Sequence, residues 1–492
     1  MPMRRPFLIL LLALAAGPGF RLRAQAPSIP LALNDAIRAA LEHNQNIKVE
    51  AYAPQIARAN VLTALGQFDP ALSFNREYSR NYGYPGVVQP LPTELVEDST
   101  YSLALGGTIP TGLTYSLVGS AFTERGPYNN YTNDYASFGG INLTQPLLRG
   151  FGFGANLVNV RVAKANRAIS KWDYRQTLIN TVTNVIVGYS NLVLAHDELE
   201  IAQHSHDLAE TLLVENREEF KTGNFARSEV TSARAQVAER DEAILLAENA
   251  VLTADNQLRQ LMGETSFPPG RPLLTVAAPE LPAVTVDPAK DLQVALAQRP
   301  DYQAARLGVT INRAQESAAR NLLLPQVNLV ASYGYNGLDN NFSASRRMVG
   351  DREYPASSIG VAISLPITNA VGRGTARAAR LTREQAEEGL ALLEAQIALN
   401  VANAGSQIDT AHQRVIADRA AYALASQTLD DETKKLRDGY STTFAVVQAQ
   451  QSLITVENSV AVATAAERQA VADYDQALGT TLGRYHIDLA DK

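Results

Sequence analysis

The sequence contains no cysteine, a single tryptophan, four methionines and six histidines in 492 residues. Without thiols there is no disulfide, no zinc–thiolate site, no thiolate nucleophile and no lipidated N-terminal cysteine. Methionine is confined to Met1, Met3, Met262 and Met348, which leaves a soft-metal path little to work with. The one close histidine pair, His204 and His206, is spaced so that the two rings point to opposite sides of a helix. Ser/His/Asp sets, nucleotide motifs and metal-ligand spacings do not stand out, so no catalytic residue, no metal and no cofactor is expected. Beyond the first 26 residues no stretch offers about 18 consecutive apolar residues, so any membrane crossing has to be made by β-strands closing a barrel.

Residues 1–26 read as a secretory signal peptide: basic Arg4 and Arg5, an apolar run from Phe7 to Ala16, and the small-x-small site Ala24-Gln25-Ala26. Cleavage after Ala24 is the alternative, because Pro27 is a poor first residue. Removing this segment takes away Arg4, Arg5, Arg21 and Arg23 and no acid, so the net charge falls from −7 to −11. An acidic exported chain has no electrostatic reason to bind nucleic acid. A hydrophobic content of 46% is enough for a core.

The remainder is written twice. Ala40-Leu41-Glu42 answers Ala295-Leu296-Ala297 and Pro70 answers Pro325, both at an offset of 255; Pro146 answers Pro366 at 220, and Gly223 answers Gly439 at 216. The fall in offset predicts about 35 extra residues in the β segment of the first copy. The first repeat, 27–262, is read as a helix over 33–66 with Asn34 as its N-cap, barrel strands over 70–147, and helices over 155–221 and 226–262 about a turn at 222–225. A Pro-rich linker, 263–288, is read as a connector lying against the outside of the helical body. The second repeat, 289–483, is read as a helix over 289–323, strands over 325–366, and helices over 375–437 and 442–481 about a turn at 438–441. A polar tail, 484–492, follows.

Period-two alternation supports the strands, as in Leu72-Phe74, Tyr101-Leu103-Leu105 and Ile359-Val361-Ile363 against small or polar neighbours. No proline interrupts 157–221 or 375–437, and continuous helices there would be roughly 95 Å long. After each glycine turn the apolar residues fall on a heptad, Val230, Ala233, Val237, Ile244 and onward, then Val446, Ala449, Leu453, Val456 and onward. Such seams predict antiparallel coiled-coil pairing folded back at Gly223 and Gly439.

The run from Phe220 to Gln236, Phe-Lys-Thr-Gly-Asn-Phe-Ala-Arg-Ser-Glu-Val-Thr-Ser-Ala-Arg-Ala-Gln, resembles the first periplasmic-tip turn of the outer-membrane efflux proteins, the TolC-like ducts of Gram-negative bacteria. Gly439-Tyr440-Ser441-Thr442-Thr443-Phe444 is similar to the second turn, and Thr144-Gln145-Pro146-Leu147-Leu148 to the strand-to-helix return. The likeness covers 27–483. It implies a mixed α+β membrane protein of two structural repeats, each a β-hairpin segment plus long antiparallel coiled-coil helices. Three copies would share one β-barrel in the outer membrane, continued by a periplasmic α-helical barrel. The implied partners are a second and third copy of the chain, a periplasmic adaptor, an inner-membrane pump of RND, ABC or MFS type, and outer-membrane lipid.

On that resemblance Thr222, Gly223, Asn224, Asp438, Gly439 and Tyr440 are the candidate adaptor contacts, although the family favours small apolar residues beside the glycines. The aspartate rings of some members correspond to Ala445 and Gln448 here, so the candidate gate ring moves to Arg227, Glu229, Arg437 and Asp438. Ser228 and Glu229 suit a helix N-terminus as cap and acid. Asp430-Asp431-Glu432 with Lys434-Lys435 reads as a solvated helix face. Gly372-Arg373-Gly374 and Arg149-Gly150-Phe151-Gly152 read as turns from barrel to tunnel, not phosphate loops. The competing reading is a trimeric structural coiled-coil envelope spacer or surface fibre with a β anchor, which the two fold-backs disfavour.

Overall fold

The computed structural model describes residues 29–83, 94–126, 129–263, 272–276 and 285–487. The expected signal peptide lies outside the described residues. The chain enters through β1 (Ile29–Leu31) and then α1 (Leu33–His43), α2 (Gln45–Glu50) and α3 (Ala53–Leu65). The expected single helix over 33–66 is therefore three. Asn44 breaks it: its backbone is extended, its carboxamide oxygen accepts from Asn46 N and Ile47 N to start α2, and its Nδ2 donates to Leu261 O at 2.7 Å. The first N-cap is Ala32, with no side-chain bond, not Asn34.

Four strands follow, β2 (Ala71–Gly83), β3 (Glu94–Thr108), β4 (Thr114–Arg125) and β5 (Asp134–Pro146). A short α4 (Gly152–Asn156) leads into α5 (Val158–Thr222) and then α6 (Arg227–Met262). The linker contributes β6 (Leu273–Thr275), which pairs in parallel with β1, a strand pair the sequence reading did not anticipate. The second copy runs α7 (Pro288–Gln298), α8 (Pro300–Asn321), β7 (Gln326–Asp339), α9 (Phe342–Asp351) and β8 (Tyr354–Ser364). Here Pro300 splits the helix expected over 289–323, and α9 is an unforeseen helix between two strands. The chain finishes with α10 (Ala370–Arg437), α11 (Thr443–Leu478) and α12 (Thr481–Arg484). Gly372 lies inside the first turn of α10, which Asn369 caps through Gly372 N, so Gly372-Arg373-Gly374 is helix and not turn. Tyr485 and Ile487 pack against the core, so the tail is docked at least that far.

The six long strands form one antiparallel sheet in the order β2-β3-β4-β5-β7-β8. The first copy thus supplies two hairpins and the second one, which is where the extra residues go. The pairing register fixes two faces. One carries Leu72, Phe74, Leu103, Leu105, Leu117, Ile141, Tyr333, Ile359, Val361 and Ile363; the other carries Ser73, Asn75, Ser102, Ser116, Asn142, Ser332 and Ser358. Most of the apolar face is exposed, Phe74 at 69% and Ile359 at 78%, while α9 lies over its outer end at Ser137 and Gly337. Water does not stabilise such a face over six strands, and lipid does. Near the hairpin ends both faces carry charge, and on the apolar face Glu97 lies between Arg80 and Arg125 and pairs with both. Arg76, Arg80 and Arg125 lie on the apolar face, and Glu77, Asp98, Glu124 and Asp134 on the polar one.

The helical body is an arc. α5 pairs with α6 and α10 with α11, and α11 packs on α5, giving the order α6, α5, α11, α10 below the sheet. Nearer the sheet α3, α5, α8 and α10 take the same places. At about 1.5 Å per residue the 65 residues of α5 span roughly 97 Å and the 68 of α10 roughly 102 Å. α5 contains a window apolar enough to cross a bilayer, but two-thirds of that window is buried inside the protein. It is a core helix, with Ile179, Val182, Val185 and Leu192 packed against Ala36, Ala40 and Leu258.

Asp475 sits in this body 4% exposed. Arg484 Nε lies 3.0 Å from its Oδ2 without aligning to donate a hydrogen bond. Loss of solvation outweighs the arginine and pushes the carboxyl pKa up to about 6. A carboxyl raised on folding prefers to be protonated in the native state. Its contribution is present below the unfolded value of roughly 4 and is lost as pH rises through about 6. The thermal midpoint of the detergent-solubilised protein should therefore rise between pH 7.5 and 5, and Asp475→Asn should flatten that slope. An unchanged slope in the variant would assign the pH dependence elsewhere.

Candidate functional site at the helical tips

Both long hairpins turn by the same device. At the first, Gly223 takes φ +86, its N–H donates to Phe220 O at 3.2 Å, and Asn224 N donates to Glu219 O at 3.0 Å. At the second, Gly439 takes φ +79, its N–H donates to Leu436 O at 3.1 Å, and Tyr440 N donates to Lys435 O at 2.8 Å. These paired bonds close the last carbonyls of α5 and α10, and the left-handed backbone they need is free only to glycine. The device is legible in the sequence because glycine is the residue that enters this backbone region at least cost, although Arg352 at φ +62 closes α9 the same way.

The surroundings differ. In the first turn Thr222 Oγ1 donates to Glu219 O at 2.9 Å and Asn224 Nδ2 to Glu219 Oε2 at 2.8 Å, so both candidate contact residues brace the turn while staying exposed. Helix α6 starts from Ala226 without a side-chain cap, and Ser228 lies within its first turn; Ser228 is not the cap. In the second turn Thr442 caps α11 by accepting from Ala445 N at 3.3 Å, and Ser441 Oγ donates to Glu432 Oε2 at 2.7 Å. The Lys435 ammonium, and then Ser441, hold the Glu432 carboxyl below its usual range. The acidic run thus includes a carboxylate that fastens the turn, beyond the solvated face expected of it.

Among the described residues one ion pair joins the two tips: Arg437 Nη2 donates to Glu215 Oε1 at 3.1 Å, linking α10 to α5. Just above it Leu212, Leu429, Val446, Ala449 and Leu453 form an apolar cluster drawn from α5, α10 and α11. Of the four ring candidates, Arg437 is engaged across the hairpins. Glu229 is half-buried, and its carbonyl accepts from Asn216 Nδ2. Arg227 and Asp438 are exposed with no ion pair seen among the described residues. Tyr440 is 86% exposed at the tip, with Phe444 beside it at 74%. Glu215 and Phe444 are not among the site residues expected from the sequence. Glu215 had no signal, since its partner is 222 positions away. Phe444 had one, an aromatic residue in the first turn of a helix whose heptad seam runs through Val446, Ala449 and Leu453. His204 approaches Glu457 at 3.6 Å and His206 approaches Asp241 at 3.3 Å, on different neighbours.

The family model for outer membrane efflux proteins matches residues 96–264 and 292–480, one stretch in each structural repeat. The outer membrane efflux protein BepC of Brucella suis is 26% identical over 400 residues, covering 80% of this chain and 81% of the relative. The outer membrane protein TolC of Escherichia coli is 24% identical over 354 residues, covering 67% of this chain and 69% of the relative. Among solved structures, the outer-membrane channel OprN superposes with a TM-score of 0.69 at 17% identity, covering 91% of this chain and 89% of that one. These likenesses support a transport channel and give no support to the fibre alternative. With a stretch of each repeat, including both glycine tips, matched in this way, the chain belongs to the outer membrane efflux protein family and resides in the outer membrane.

Proposed function

We propose that the protein is the passive outer-membrane exit duct of a tripartite efflux pump or a type I secretion system, with no enzymatic activity of its own. The observation that carries this is the uninterrupted run of α5 and α10 from a sheet with one apolar face to two solvent-exposed tips. The sheet crosses the outer membrane, and the helices bridge much of the periplasm. The tips, with Thr222, Gly223 and Asn224 on one and Asp438, Gly439 and Tyr440 on the other, meet a periplasmic adaptor that joins an inner-membrane pump. A single chain leaves both edges of its sheet open, which a lipid environment does not tolerate, so further copies close it, and the family likeness makes the duct a homotrimer. Energy comes from the pump, and the duct supplies a water-filled path lined by the polar sheet face.

The second tip gives the sharpest test. Proline at 439 removes the N–H that bonds Leu436 O and forbids φ +79; Asp438→Arg reverses an exposed charge. Both variants should insert as trimers yet lose most of the export that wild type supports with its cognate pump. Normal export by a correctly inserted Gly439→Pro trimer would count heavily against the tip as the docking point.

A further inference from the structure

We infer that all six strands of each protomer enter the barrel, with β2 of one copy pairing with β8 of the next, so that the duct crosses the outer membrane as an eighteen-stranded barrel. This rests on the trimeric reading above and goes beyond it by naming the strands that meet and the width that results.

The argument begins at the edges. β2 and β8 are the two outer strands of the sheet, 13 and 11 residues long, and no other long strand among the described residues is left to cover them. They run in opposite directions: β2 leaves the helical body after α3, and β8 returns to it before α10. A copy set beside its neighbour by rotation therefore presents β8 antiparallel to β2. Their faces also agree. Leu72 and Phe74 on β2 fall on the same side as Ile359, Val361 and Ile363 on β8, so pairing continues the apolar face across the junction.

The helices below repeat the pattern. On the β2 side the arc ends in α3 and α6, with Leu62 at 68% and Leu245 at 66% exposed; on the β8 side it ends in α10, with Leu392 at 61% and Leu424 at 67%. Unpartnered leucines on both flanks, beneath unpaired strands on the same flanks, fit one occupant, a second copy of this chain in a head-to-tail ring. β2 and β3 also pair along all 13 residues of β2 and share that apolar face, so the extra hairpin is part of the wall and not a loop above it.

Width follows. With strands about 4.8 Å apart and tilted by roughly 40°, eighteen strands close a backbone cylinder about 36 Å across, whereas twelve would close one of about 24 Å. The polar face of the sheet then surrounds an aqueous path broader than side chains can fill.

The absence of native cysteine makes the junction directly testable. Asn75→Cys, on the polar face of β2, is combined in turn with Ser358→Cys, Gly360→Cys and Ala362→Cys on the polar face of β8. Ser116→Cys on β4 is combined with the same three. After mild oxidation of membranes, at least one Asn75 pair should give a covalent trimer that reduction dissolves, and the Ser116 pairs should give none. A covalent trimer through Ser116 would overturn the proposal, because β4 would then be the contact strand of a twelve-stranded barrel. A trimer by native mass spectrometry with no Asn75 crosslink at any position would also overturn it. A monomer would instead sink the trimeric reading itself.

Discussion

Replacing Arg437 by glutamate should raise the single-channel conductance of the reconstituted trimer, and Glu215→Arg in the same chain should bring it back down. The wild-type pair ties α10 to α5 at 3.1 Å with both side chains substantially exposed. Three such exposed pairs at roughly 0.2–1 kcal/mol each amount to ~0.6–3 kcal/mol. That is a factor of about 3 to 150 in the ratio of open to closed tips, if the pair is broken on opening. Glutamate opposite Glu215 adds repulsion in place of attraction, so the upper part of that range is expected. The sign has a second check in ionic strength. At about 1 M salt the screening length is roughly 3 Å, and wild type and variant should converge. A charge swap that leaves conductance unchanged at low salt would show that Arg437 and Glu215 do not hold the tips. The conductance of wild type should also favour cations, since Glu77, Asp98, Glu124 and Asp134 share the polar sheet face.

Asp255→Ala should release the linker strand from the helical body. Asp255 is 6% exposed, pairs with Arg259 at 2.7 Å, and accepts the backbone N–H of Leu273 at 3.0 Å, fastening β6. Beside it the Tyr189 hydroxyl lies 2.6 Å from Val276 O and 3.0 Å from Leu31 O, so one cluster of side chains clasps both strands of the β1–β6 pair. Removing a buried charged acceptor costs about 3 kcal/mol or more. Amide exchange at Leu273 should accelerate roughly 100-fold as that cost is subtracted from local opening. Asp255→Asn, which keeps an acceptor without the charge, should fall between. Protection at Leu273 equal to wild type in Asp255→Ala would mean that β6 is held by its pairing with β1 alone.

The heptads after Gly223 and Gly439 were readable because a coiled-coil seam is a local property: Val446, Ala449 and Leu453 recur at three and four residues whatever lies opposite, and they are buried. The tip glycines were readable because only glycine enters that backbone region freely. The breaks at Asn44 and α9 were not. Asn44 stops a helix by accepting from the next turn and donating to Leu261, a residue 217 positions on. Helix α9 is held over the sheet by Ser345, whose hydroxyl donates to Ser137 Oγ at 2.7 Å across 208 positions. The tip fastenings show the same division. Thr442 caps its own helix, within reach of sequence reasoning, whereas Arg437 finds Glu215 only because two hairpins lie side by side.

Duplication, period-two and heptad patterns and two turn glycines thus set the identity and order of the parts: strands on a lipid-suited face, paired long helices and twin tips. Tertiary packing decided how many strands line up, which edges stay open and which charges meet at the tips. The reason is physical. Periodicity and backbone strain act over a few residues and leave a mark in the order of letters, while edge pairing and ion pairing depend on where distant elements come to rest in space.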